Sequence, residues 1–251
     1  LAFPRVGEAA PLVRAVNRAE ADARPASPPK WIAGDPRVLA PRDEREGGTW
    51  MGATEVGLWV GLTNRHEGDL DPERRSRGRL CLDLLRGGES PHAVVDRIGA
   101  LEEPYNPFHL VTGDGRSLWR VAYDGGVVEA RELSAGCHLV TNRPTGEEDE
   151  EPKVARARAL LEAAGLWPIP PGGGAPADLE DRLAAILADH GHRGPDAVCL
   201  HGGRYGTRSA AVWRIRPHAP DGDPGIGLAF AAGPPCSAAF ERISFPNDAG
   251  R

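Results

Sequence analysis

Between Glu46 and Arg65 the chain reads EGGTWMGATEVGLWVGLTNR, and this stretch constrains the fold more than any other. Thr49 to Thr54 and Leu58 to Thr63 are apolar runs of strand length, separated by a turn at Glu55-Val56-Gly57. Trp50, Met51 and Trp59 are too large to leave in water, so the hairpin is expected in a core, with Trp50 and Trp59 buried near its centre. Gly47, Gly48, Gly52 and Gly61 imply close backbone approach, bulges or positive φ. The second strand ends in Asn64-Arg65, an amide and a guanidinium. That pair either furnishes a site or is the solvated end of a buried hairpin.

The remaining elements are read around this hairpin. Leu1 to Val6 and Pro11 to Val16 are expected strands, the second delivering Asn17-Arg18-Ala19-Glu20 at its end. The proline-rich segment through Arg24-Pro25, Pro28-Pro29 and Asp35-Pro36 is expected to be an irregular surface loop pinned by Trp31. Leu80 to Leu85 reads as a helix stopped by Gly87-Gly88, and Ser90-Pro91 as the cap and first turn of another. Strands are expected at Phe108–Val111, Leu118–Tyr123, Val127–Arg131 and Cys137–Thr141. After a solvated acidic run, Glu147 to Glu151, come helices near Lys153–Ala164 and through Leu179–Leu187. Val198–His201, Ser209–Ile215, Ile226–Ala231 and Ala239–Phe245 complete the strands. Strands, then helices, then strands predict an α+β layered domain spanning residues 1–251.

Composition excludes several classes. A formal charge of −6 and a pI near 5.8 argue against a nucleic-acid surface. No segment has the length of apolar sequence that a membrane span needs. Lys30 and Lys153 are the only lysines, so a lone arginine carries little information. Cys81, Cys137, Cys199 and Cys236 show neither close pairing nor metal-ligand spacing, which predicts reduced thiols, no metal and a cytoplasmic protein.

The ordered blocks Asn17-Arg18-Ala19-Glu20, Arg24-Pro25, Gly47-Gly48-Thr49-Trp50-Met51-Gly52, Leu62-Thr63-Asn64, Ser76-Arg77-Gly78, Tyr105-Asn106, Thr141-Asn142 and Tyr205-Gly206-Thr207-Arg208 run through nearly the whole chain. By these blocks the sequence resembles the Transport and Golgi organisation protein 2 family, also called NRDE after its Asn-Arg-Asp-Glu motif. The resemblance implies a four-layer αββα sandwich of the N-terminal-nucleophile hydrolase type. In the amide hydrolases of that fold an N-terminal cysteine attacks the carbonyl, with its own α-amine as base. The resemblance makes Arg18, Asn64, Asn142 and Arg208 candidates for the walls of one pocket, with Asn17, Glu20, Gly47, Gly48, Thr49, Trp50, Tyr205, Gly206 and Thr207 as motif residues. Ala19 stands where the motif has aspartate, and the family's cysteine would lie upstream of Leu1. Two functions follow: a non-enzymatic intracellular carrier of a haem-like or other hydrophobic anionic ligand, or an N-terminal-cysteine amide hydrolase or acyltransferase. Eukaryotic members are linked to haem movement, which makes haem a candidate cargo and His109, His138 and His201 candidate contacts.

Other constellations are weaker. Cys137 and His138 are adjacent on an expected strand and point to opposite faces, which prevents them from acting as nucleophile and base. Cys199 and His201 share a face, compatible with a metal or haem iron, or with a packed cysteine beside a surface histidine. Gly202-Gly203-Arg204-Tyr205-Gly206 lacks the lysine and helix of a phosphate loop and reads as a tight connection. Asp178, Glu180 and Asp181 read as the acidic first turn of a helix.

Overall fold

The computed structural model describes residues 2–3, 12–65, 70–88, 90–144, 151–168, 176–191, 194–216 and 225–243. Most of the first expected strand and most of the acidic run lie outside them. Two antiparallel sheets form the centre. The smaller contains β1 (Ala2–Phe3), β2 (Leu12–Ala21), β10 (Tyr205–Ile215), β11 (Ile226–Ala231) and β12 (Glu241–Ile243), side by side in that order. The larger runs in sequence order through β3 (Ala26–Ile32), β4 (Val38–Asp43), β5 (Met51–Thr54), β6 (Trp59–Asn64), β7 (Phe108–Gly113), β8 (Leu118–Tyr123) and β9 (Val128–Glu132).

Period-two alternation gives the central strands two apolar faces, and three hydrophobic layers result. Between the sheets, Met51, Trp59, Val111 and Leu118 meet Leu12, Trp213, Leu228 and Phe230. The indole N–H of Trp213 points at Met51 Sδ, 3.4 Å away, so the hairpin's only methionine sits at the centre of the sandwich. On the outer face of the larger sheet, α1 (Arg77–Gly87) and α2 (Pro91–Gly99) bury Leu80, Leu84, Leu85, Val94 and Ile98 against Val60, Leu110 and Val121. On the outer face of the smaller sheet, α3 (Pro152–Ala163) and α4 (Leu179–Leu187) bury Leu161, Leu183 and Ile186 against Val13, Ala15 and Val212. The order is therefore helix, sheet, sheet, helix. The α2 start is capped as its sequence dictates: the Ser90 hydroxyl accepts from the Ala93 amide at 3.2 Å, and Pro91 opens the first turn.

Five local expectations are corrected. The proline-rich segment is not irregular, because residues 26–32 form β3. Pro28 and Pro29 are tolerated there because β3 is the edge of its sheet and its register with β4 shifts between Ser27 and Lys30. β2 does not end before Asn17; it continues through the polar tetrad to Ala21, paired throughout with β10. Residues 137–141 and 198–201 are not strands, and the latter makes only the single bridge from His201 to Gly206. Trp59 is buried, but Trp50 is only partly so, since it lines a cavity.

Two sequence blocks prove to be one contact. A Cβ on Gly48 would lie 2.2 Å from the Gly78 carbonyl carbon, and the Thr49 amide donates to the Gly78 oxygen at 2.9 Å. Gly48 is thus required by the close approach of the Gly78 backbone, whereas a Cβ on Gly78 would come no nearer than 3.3 Å, to the Thr49 oxygen. That contact fixes the start of α1 beside the mouth of the sandwich.

Candidate functional site

Strand β2 separates two cavities because its side chains alternate. Leu12 and Val16 pack between the sheets, where Arg14 stacks on Trp59 and Arg18 on Trp50. Val13 and Ala15 pack towards α3 and α4. Asn17 follows on that side, its amide donating to the carbonyls of Leu187 at 2.9 Å and Val198 at 3.0 Å. The first residue of the tetrad therefore ties β2 to the end of α4 and to the loop before β10.

The first cavity, about 380 Å³, is charged. Its wall combines Arg18 and Glu20 of β2, Asp43 at the end of β4, Trp50 and Asn64 of the hairpin, and the segment leading into α1. Most of its arginines are already engaged. Arg24 grips Asp43 bidentately, with Nε–Oδ1 at 3.2 Å and Nη2–Oδ2 at 2.6 Å. Arg74 donates to the Tyr105 carbonyl and Arg77 to the Pro107 carbonyl, both at 2.8 Å. Arg75 pairs with Asp83 at 3.1 Å. Asn106 clamps the same segment by accepting from the Asp71 amide and donating to its carbonyl.

Arg18 differs. Its guanidinium lies 4.4 Å from the centre of the Trp50 ring, and its side chain is 8% exposed. Its one ion pair is Glu20 at 3.9 Å, and among the described residues it meets no hydrogen-bond acceptor. Burial pushes its pKa down; the charges of Glu20 and Asp43 pull it up, and those of Arg24 and Arg208 push it further down. A guanidinium stays protonated under these conditions, so the result is a fixed, desolvated cation. The Trp50 indole N–H also has no acceptor among the described residues. Burial opposes ionisation of Asp43, but the Arg24 hydrogen bond and charge, the Arg45 amide and the Arg18 charge together hold its carboxyl below the usual range.

The second cavity, about 460 Å³, is mainly apolar. Leu139, Val140, Val154, Leu187 and Leu200 line it, with Asn142, Lys153 and Tyr205 among its polar members. Asn17, Ala19 and Thr63 belong to the walls of both cavities. Burial pushes the Lys153 ammonium down and Glu151 pulls it up.

Of the four pocket candidates, Arg18 and Asn64 line the charged cavity and Asn142 lines the apolar one. Arg208 lines neither. It is the extra residue of a β-bulge between Thr207 and Ser209, is exposed, and donates to Asp22 at 3.0 Å. The bulge shifts the strand's phase by one and turns that side chain out. Tyr205, Gly206 and Thr207 hold the adjoining loop. Tyr205 Oη donates to the Ala19 carbonyl at 2.9 Å, and Thr207 Oγ1 accepts from the Leu200 amide at 2.8 Å. A Cβ on Gly206 would lie 2.9 Å from the Leu200 oxygen. His109 and His138 donate to the carbonyls of Arg143 and Ser134, and neither lines either cavity. Sequence reasoning missed Asp43 and the lining role of Arg24; their partnership spans 19 positions and has no local pattern.

The sequence model of the family described as Transport and Golgi organisation 2 matches residues 2–218. This chain belongs to that family. A Transport and Golgi organization protein 2 homolog from Bos taurus is 31% identical over 106 residues, covering 41% of this chain and 38% of that protein. Its Homo sapiens counterpart is 29% identical over the same length and shares. The matched segment thus spans well under half of these curated relatives. Among solved structures, a Caenorhabditis elegans ortholog of N-acylethanolamine-hydrolyzing acid amidase superposes with a TM-score of 0.63 at 13% identity, covering 88% of this chain and 93% of that one. Penicillin V acylase from Agrobacterium tumefaciens gives 0.53 at 13% identity, covering 98% and 86%. A variant of conjugated bile acid hydrolase from Clostridium perfringens gives 0.52 at 11% identity, covering 98% and 96%. The fold of this family member is that of the N-terminal-nucleophile hydrolases, in its four-layer form. Among the described residues, no helix is long and apolar enough to cross a membrane.

Proposed function

We propose that this protein is a non-enzymatic binder or carrier of an amphipathic anion in the cytoplasm, with the anionic head on Arg18 and the apolar body in the adjoining cavity. Haem, with its propionates, belongs to this ligand class, as do other hydrophobic carboxylates. The observation that carries the reading is the state of Arg18: stacked on Trp50, nearly buried, and without a hydrogen-bond acceptor among the described residues. Arg24, Arg74, Arg75 and Arg77 each hold at least one protein acceptor, whereas Arg18 has all its donors to offer. A carboxylate would gain charge-assisted hydrogen bonds of about 1.5–3 kcal/mol each. The test is titration of haemin and of a long-chain fatty acid against the intact protein and Arg18→Gln. Binding to the intact protein, weakened at least about tenfold (1.4 kcal/mol) in a folded Arg18→Gln, is the expected result. Equal affinity in the two proteins would remove Arg18 from the site and defeat the reading.

One observation favours a second reading, that of an amide hydrolase or acyltransferase. β1 pairs antiparallel with β2, Ala2 opposite Arg14 and Phe3 opposite Val13, so its N-terminal direction runs along β2 towards Arg18. A cysteine ahead of β1 would approach the charged cavity, where Arg18 could stabilise an oxyanion. Terminal sequencing of the mature protein and a hydrolysis assay with N-acyl amides test it. A mature N-terminus without cysteine rules this reading out.

A further inference from the structure

The loop before β10 and the turn after β11 bring together three side chains far apart in sequence. Cys199 Sγ lies 3.7 Å from His201 Nε2 and 3.7 Å from Cys236 Sγ, and His201 Nε2 lies 3.1 Å from Cys236 Sγ. Tetrahedral zinc, with Zn–S of about 2.3 Å and Zn–N of about 2.0–2.1 Å, holds its ligand atoms roughly 3.5–3.8 Å apart. Two of the three separations match the edges of such a tetrahedron, and the His201–Cys236 pair, at 3.1 Å, needs to open by only about 0.4 Å. Cys199 is buried, whereas His201 and Cys236 are exposed, so the fourth corner opens towards solvent.

We propose that Cys199, His201 and Cys236 form a zinc site with its fourth position open to water or to the nearby His190. The backbone is prepared for this. The Cys199 amide donates to the Asp189 carbonyl at 2.7 Å, and residues 200 and 207 bond each other twice. On the other side, the amides of Ser237 and Ala238 both donate to the Pro234 carbonyl, closing the turn that presents Cys236. The His190 ring centre is 5.7 Å from that of His201, and its Nδ1 has no partner among the described residues.

The donor set selects the metal. Two thiolates and one imidazole suit zinc better than magnesium or calcium, which take oxygen ligands. On binding, both S–H bonds break, the two protons leave to solvent, two Zn–S bonds form, and neutral His201 coordinates through Nε2. Zn²⁺ with two thiolates carries no net charge, which a half-buried site tolerates. The effect would be structural. Val198, the neighbour of Cys199, accepts from Asn17, so a bound ion would brace the loop beneath the apolar cavity.

The test uses the full chain without a histidine tag, fully reduced, titrated with Co²⁺ as a spectroscopic stand-in and then competed with Zn²⁺. The expected result is one equivalent bound, with thiolate-to-cobalt charge-transfer absorption that zinc abolishes. His201→Ala and Cys236→Ser should each weaken binding at least about tenfold, and Cys137→Ala should leave it unchanged. As a check that needs no variant, zinc should protect Cys199 and Cys236 of the intact protein from alkylation, read by mass. No cobalt uptake, affinity unaltered in Cys236→Ser, or alkylation of Cys236 indifferent to zinc would each overturn the proposal.

Discussion

The two cavities on either side of β2 share three wall residues and differ in almost everything else. In the charged one, side chains of opposite sign are fixed by one another and by backbone carbonyls, with Arg18 held on an indole. In the apolar one, leucines and valines from a loop, α3 and α4 face an alanine where the family motif has aspartate. A single extended strand generates this contrast, because consecutive residues face opposite ways. Arg18 lines the charged cavity alone, whereas its sequence neighbours Asn17 and Ala19 reach the apolar one as well. A ligand that uses both cavities must therefore be amphipathic.

The largest expected effect breaks the charged side at its frame. Gly48→Ala drives a methyl group to 2.2 Å from the Gly78 carbonyl carbon, and backbone cannot move aside cheaply. A loss of about 3 kcal/mol in urea unfolding is expected. A loss below about 1 kcal/mol would mean that the loop and α1 separate easily, and the rigid wall would be disproved. Next comes Asp43→Asn, which removes the carboxylate that Arg24 grips bidentately; it should cost about 2 kcal/mol at pH 7. Its pH dependence has a definite sign. The folded pKa of Asp43 lies below its ordinary value of 3.8, so its contribution is present above that pH and is lost as the pH falls through the folded value. The stability gap between wild type and variant should therefore close in acid; a gap constant down to pH 2 would contradict the pairing.

A sharper comparison comes from filling the apolar side alone. Ala157→Leu, at a position in the apolar wall only, should weaken a long-chain carboxylate about tenfold while leaving a short one such as acetate unaffected. Equal losses for both would show that the cavities do not divide the ligand. The smallest effect belongs to Arg208→Gln. This residue lies outside both walls in an exposed pair with Asp22, so ligand affinity should stay within about twofold and stability within about 0.5 kcal/mol. A tenfold affinity loss would bring Arg208 into the site.

Legibility in the sequence followed locality. The hairpin was readable because its alternation, its turn and its glycines all act within a few residues, and α2 because Ser90 and Pro91 satisfy a helix start by themselves. β3 was not readable: two prolines argue against a strand unless it lies at a sheet edge, and edge position is a property of the assembled sheet. The tetrad looked like a strand end because its residues are polar. They continue β2 because both of its faces there border cavities rather than core. Arg208 was misphased by a bulge that nothing in its neighbours announces.

By itself, the sequence determined the hairpin, most of the other strands, the helices and the family blocks, because alternation, caps and turns are short-range chemistry; the stacking of two sheets was implied only by the family resemblance. Only the tertiary structure decided which arginine keeps its donors unsatisfied, since that depends on Asp43, Tyr105 and Pro107 occupying the others from distant elements. Only it set Cys236 beside Cys199 and His201, because two loops 37 residues apart converge where their strands pair. Side-chain identity is local. Which side chains are left without partners is settled only when every element has been placed.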